Sequence, residues 1–212
     1  MTPPARPKRD YGYSQRGRDV ESARAKIHVA FTEVVNRNDD RDPRMQRWRN
    51  AISAFNAALS RVYSKPLREV ANGTVPASEV DTATMLDFLE ADPDFFGSGY
   101  MKERVLTELK RRKLDRDEVA RLQATIVRVV DKPDFRREFR SYCRAAVNVD
   151  DEQFRTRLEE LERSGDPDVA RRANWILAAL EGRWEDLARA RRGRERRGGW
   201  YVSTPKPRIS RN

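Results

Sequence analysis

Ser164-Gly165-Asp166-Pro167-Asp168-Val169-Ala170-Arg171-Arg172-Ala173 holds the end of one helix and the opening of the next. Pro167 has a fixed φ and no backbone N–H, so it fits the first turn of a helix and is rejected from the interior. Apolar residues recur at helical spacing on both sides, Phe154, Leu158 and Leu161 before the joint and Val169, Ala173, Ile176, Leu177 and Leu180 after it. The same Pro-Asp-apolar phrase appears at Pro93-Asp94-Phe95 and Pro133-Asp134-Phe135, again between helical stretches. Three joints predict three helical hairpins, and short amphipathic helices of this kind bury their apolar faces only by stacking on neighbours.

Working outward, the first hairpin pairs Met85, Leu86, Phe88 and Leu89 with Met101, Val105, Leu106 and Leu109, and carries an insertion, Phe96-Gly97-Ser98-Gly99-Tyr100, after its joint. The second pairs Val119, Leu122, Ile126, Val129 and Val130 with Phe135, Phe139, Tyr142, Cys143 and Ala146. Over residues 80–182 the chain resembles HEAT-type helical repeats, most closely from Leu158 to Leu180. The resemblance implies an all-α fold of stacked hairpins with a surface for protein or nucleic acid. Fold alone does not assign function.

Before the repeats, residues 19–79 form a helical pair and connector. The first helix is expected from Asp19, as N-cap, to about Asn36, with Val20, Ala23, Ile27, Ala30, Phe31 and Val34 on one face. The second opens at Asp42-Pro43 and runs to about Tyr63 through Met45, Trp48, Ile52, Phe55, Leu59 and Val62. Pro66, Gly73 and Pro76 mark residues 64–79 as a connector with one short helical turn. Residues 1–18 are expected to be a disordered basic arm, and residues 183–212 a basic Arg/Gly/aromatic tail whose first part continues a helix from Trp184.

The net charge of +10 lies in those ends. Residues 1–18 contribute +4, residues 183–212 contribute +7, and the segment between them is −1. Arg outnumbers Lys by 36 to 8, which fits either bidentate anion contacts or a bias toward GC-rich codons. One cysteine, Cys143, permits no intramolecular disulfide, and with His28 as the single histidine there is no Cys/His zinc pattern. No apolar run reaches membrane-span length, and the N-terminal stretch lacks the apolar core of a signal peptide, so a cytoplasmic location is expected.

The sharpest local pattern is Lys132, Arg136, Arg140 and Arg144, four apart, with Arg137 alongside. On one continuous helix these stack into a cationic stripe opposite Phe135, Phe139, Tyr142 and Ala146, at a cost of roughly a few tenths of a kcal/mol per like-charged pair. Two explanations offset that cost: pairing with neighbouring acids such as Glu138 or the Asp150-Asp151-Glu152 run, or contact with a phosphate backbone. The tail adds Arg191, Arg192, Arg194, Arg196 and Arg197 ahead of Trp200 and Tyr201, a mixture suited to phosphates and unpaired bases, to docking on an acidic protein, or to plain solubility. Two further basic groups have local explanations. Arg44, Arg47 and Arg49 flank Trp48, which is placed on the apolar face, and Lys110 to Lys113 close a helix where cations suit the macrodipole.

Catalytic patterns are absent from the sequence: it has no Gly-rich phosphate loop, nucleophile elbow or metal-spaced cluster, and no cofactor is implied. His28 lies beside the apolar stripe of the first helix, and Cys143 lies within an apolar face where a thiol is inert. HEAT-type enzymes that act on DNA bases use Trp, Asp and Arg side chains, so the resemblance carries a minor alternative of DNA-base repair with Trp175, Asp94 or Arg140 in those roles. The leading expectation is a non-enzymatic helical adaptor for nucleic acid or a nucleoprotein assembly. Its rival is a protein-interaction scaffold whose basic tails dock on an acidic partner or only solubilise.

Overall fold

The structure is a computed structural model and describes residues 11–35, 39–132 and 138–183. All regular structure among them is helical: α1 (Tyr13–Thr32), α2 (Pro43–Val62), α3 (Lys65–Ala71), α4 (Thr82–Ala91), α5 (Ser98–Leu109), α6 (Arg116–Val130), α7 (Phe139–Ala146), α8 (Glu152–Glu162) and α9 (Pro167–Leu180). Single 3₁₀ turns occur at Ala77–Glu79 and Val147–Val149. Aspartates start many of these helices. The side chains of Asp42, Asp81, Asp115, Asp151 and Asp166 each accept a backbone N–H from the first turn at 2.8–2.9 Å, a contact worth about 1 kcal/mol apiece. At Asp115 the cap is reciprocal, because Glu118 accepts the Asp115 N–H at 3.0 Å.

From α4 onward the helices pack in two layers. α4 lies on α6 and α6 on α8, while α5 lies on α7 and α7 on α9, so successive hairpins stack side by side. Their shared core runs through Leu86, Leu89, Leu106, Leu122, Ile126, Phe139, Tyr142, Leu158, Ala173 and Ile176, all buried. The third joint forms as its sequence predicts, with Pro167 the first residue of α9 behind the Asp166 cap. The first joint differs. Asp92 ends α4 in the left-handed region (φ 40°), Pro93 precedes no helical turn, and α5 starts only at Ser98, behind Gly97 at φ 89°. Pro133 lies outside the described residues.

That irregular first joint is where the N-terminal hairpin attaches. Phe95 is buried, and its ring lies 5.5 Å from that of Tyr63. The Phe96 N–H donates to Glu21 of α1 at 2.6 Å, the Phe96 ring packs edge-on to Phe55 of α2 at 5.9 Å, and the Arg24 guanidinium sits 4.8 Å above it. Gly17 makes the close approach possible, since a Cβ there would lie 3.2 Å from the Phe95 ring. The insertion therefore serves as a dock.

Two expectations about α1 are corrected. It starts at Tyr13 rather than Asp19, with Gly12 (φ 63°) at its N-cap, because Tyr13 is buried edge-on against Phe88 at 5.2 Å and draws residues 13–18 into the helix. It also ends at Thr32, not Asn36. α1 and α2 pack along each other but touch the rest mainly at one end, through α4 and α3. The far half of the pair consequently leaves Val29, Phe31 and Val35 exposed, and Trp48 is half-buried against Phe31 at 5.7 Å rather than enclosed.

Candidate nucleic-acid interface

The proposed stripe divides into parts of different kinds. α6 ends at Val130 and α7 begins at Phe139, so Lys132 and Arg140 do not share a helix and the row of four is not one stripe. Arg136 and Arg137 lie outside the described residues. Arg140 and Arg144 remain as a pair one turn apart on α7, both exposed, opposite a face where Phe139, Tyr142, Cys143, Ala145 and Ala146 are buried.

Lys132 belongs to a buried ionic cluster. Its ammonium pairs with Asp92, which also pairs with Lys102, and Lys102 reaches Glu138 at 3.4 Å. The Lys102 side chain is 0% exposed, Asp92 6% and Glu138 7%, against 32% for Lys132. Burial pushes the Asp92 carboxyl upward, and the two ammonium groups outweigh that, leaving it below the usual carboxylate range. The left-handed backbone at Asp92 aims this carboxylate from the end of α4 between α5 and the segment after α6. Sequence spacing does not reveal this cluster, because its members are separated by 10 to 40 positions.

Three of the acids proposed to neutralise Arg140 and Arg144 are engaged elsewhere. Glu138 holds Lys102, Asp150 holds Arg155 at 2.8 Å, and Asp151 caps α8 while accepting the Gln123 amide at 2.7 Å. Arg140 and Arg144 form no ion pair among the described residues. The basic group around Trp48 is different: Arg44 pairs with Asp42 at 2.8 Å, Arg47 with Glu33 at 2.7 Å and Arg49 with Asp40. In the run closing α5, Arg112 pairs with Glu108 at 3.2 Å and donates to the carbonyls of Ala77 and Ser78.

Of the residues considered for chemistry, His28 is exposed on α1 and Cys143 is fully buried, with its thiol pushed well up by burial. Trp175 is half-buried with its ring 6.1 Å from Phe139, and Asp94 is exposed. The described residues hold no group of three or more His, Cys, Asp or Glu placed to bind a metal ion, and none of their helices is long and apolar enough to cross a membrane. The tail candidates Arg191, Arg192, Arg194, Arg196, Arg197, Trp200 and Tyr201 lie outside the described residues. Sequence reasoning missed Arg172. It is buried in α9, and its Nε donates to the Val130 carbonyl at the end of α6 at 2.7 Å, which places a cation at a helix C-terminus.

Comparison with protein-family models, with curated proteins and with solved structures finds no match to this chain.

Proposed function

We propose that this chain is a non-enzymatic, HEAT-like helical adaptor that binds nucleic acid or a nucleoprotein assembly through its basic ends and the Arg140–Arg144 face of α7. The observation that carries the proposal is that pair: two exposed guanidinium groups one turn apart without an ion pair among the described residues, with Glu138, Asp150 and Asp151 committed to other partners. A like-charged pair kept on a helix face without counter-charge suits an anionic partner, and Arg matches phosphate bidentately. The two-layer stacking of α4 to α9 supports the repeat-like reading, and a cytoplasmic setting is proposed with it, on the single buried cysteine.

Titration with random-sequence DNA and RNA across a salt series tests the proposal. Affinity should fall steeply with salt, and Arg140→Glu with Arg144→Glu should weaken binding and flatten the slope of log K against log salt by about 1 to 2. Surface changes of this kind should alter stability by no more than about 0.5 kcal/mol. No binding at low salt, or full binding by the double variant, would sink the Arg face. The second reading, a protein-interaction scaffold, is favoured by one observation of its own: Val29, Phe31 and Val35 are exposed on the outer half of the α1–α2 pair.

A further inference from the structure

At the base of the α1–α2 pair, where α2 gives way to α3, lies a cleft of about 680 Å³. Its walls bring together Arg16 from α1, Arg61 from α2, and Lys65 and Arg68 from α3, beside Tyr11 and the buried Tyr63. Four cations from three helices meet there, although the sequence separates them by as many as 52 positions and no motif links them.

About half of the described arginines rest on carboxylates, and these three do not. Arg16 donates to the Arg61 carbonyl at 3.2 Å, Arg61 to the Ala57 carbonyl at 2.9 Å and Arg68 to the Ser60 carbonyl at 3.5 Å. Lys65 has no hydrogen bond from its side chain among the described residues. Asp19 on the same wall accepts the Gln15 amide at 3.0 Å. Capping the last carbonyls of α2 accounts in part for Arg16 and Arg68, which donate to the Arg61 and Ser60 carbonyls, because cations are favoured at a helix C-terminus. Each guanidinium carries five N–H donors, however, and a single carbonyl leaves most of each fork unused.

We propose that this cleft binds a phosphate group carried by a nucleotide-sized ligand. Its volume falls within the range of about 300 to 1,000 Å³ typical of small-molecule sites. Convergent guanidinium groups are the side chains best matched to phosphate oxygens, and half-buried Tyr11 gives a base or sugar an apolar neighbour. The ligand is either a free nucleotide or the terminal nucleotide of a strand, both of which present the same phosphate chemistry. This site is separate from the Arg140–Arg144 face and stands if that face proves inert.

Isothermal titration of the full chain at low salt decides the matter, using inorganic phosphate, a nucleoside monophosphate, and single-stranded oligonucleotides with and without a terminal phosphate. Saturable binding of the monophosphate identifies a free nucleotide as ligand. Binding confined to the terminally phosphorylated strand identifies a strand end. In either case Arg61→Gln with Arg68→Gln should weaken binding about tenfold or more, whereas Arg140→Glu should leave it unchanged. Lys65→Glu, at an exposed position, provides the same test should the arginine variants fail to fold. The proposal is overturned if none of the probes binds, or if binding persists at full strength in Lys65→Glu and in a folded Arg61→Gln, Arg68→Gln variant.

Discussion

Replacing Lys102 with Met tests the buried ionic cluster, which structurally ties the first two hairpins together. The ammonium of Lys102 is fully enclosed and serves two carboxylates, Asp92 at the end of α4 and Glu138 at the start of α7. Met fills similar volume, so the main change is electrostatic. Asp92 keeps Lys132, whereas Glu138 loses its ion pair while its side chain is 7% exposed. Stranding one partner of a buried pair costs about 3 to 5 kcal/mol. For a chain of this size, each kcal/mol moves the melting temperature by about 2 to 4 °C, so the midpoint should fall by about 6 to 20 °C. Thermal melts followed by circular dichroism at neutral pH measure the loss. The double change Lys102→Met, Glu138→Gln should recover much of it, because it removes the stranded charge rather than the pair alone. A single variant melting within about 2 °C of the wild type would refute the reasoning, as would a double variant no more stable than the single one.

The pH dependence follows from Asp92, whose carboxyl lies lower in the folded chain than in the unfolded one. The folded state then binds fewer protons, so the stabilisation is complete above the unfolded value of about 3.9 and is lost as pH falls through the folded value. Asp92→Asn should accordingly lower stability near neutrality and flatten the acid side of a melting-temperature profile below about pH 4; an unchanged profile would contradict the shift. Truncation separates the two positions considered for the start of α1. A chain beginning at residue 19 loses buried Tyr13 and should be less stable than one beginning at residue 11 by about 3 to 5 kcal/mol; equal denaturation midpoints for both would refute the role given to Tyr13.

What the sequence made legible depended on short-range physics. Asp42-Pro43 and Asp166-Pro167 announce helix starts because cap and proline act within one turn, and both helices begin where those pairs predict. The all-helical class and the stacking of hairpins follow from apolar periodicity, which local spacing records faithfully. Long-range pairing is not recorded that way. Tyr13 looks like part of a polar arm until Phe88, 75 positions away, supplies a surface for its ring. Phe96-Gly97 looks like an interruption of a repeat until Glu21 and Phe55 come to meet it.

Charge was the least legible quantity, for a related reason. Composition shows that residues 19–182 are nearly neutral, but not which acids serve which bases. Aspartate capping engages Asp81, Asp115, Asp151 and Asp166 with backbone, which reduces the carboxylate supply available to neighbouring arginines, although Asp42 caps α2 and still pairs with Arg44. Near-neutral composition therefore coexists with local cationic surplus, at Arg140 and Arg144 on α7 and in the cleft beside Arg61. Lys132 shows the opposite outcome: by sequence it belongs with the surplus, and in the fold it is held by a carboxylate 40 positions earlier. Where anions bind this chain is thus decided less by the number of arginines than by which ones the helix caps and buried clusters leave without a carboxylate.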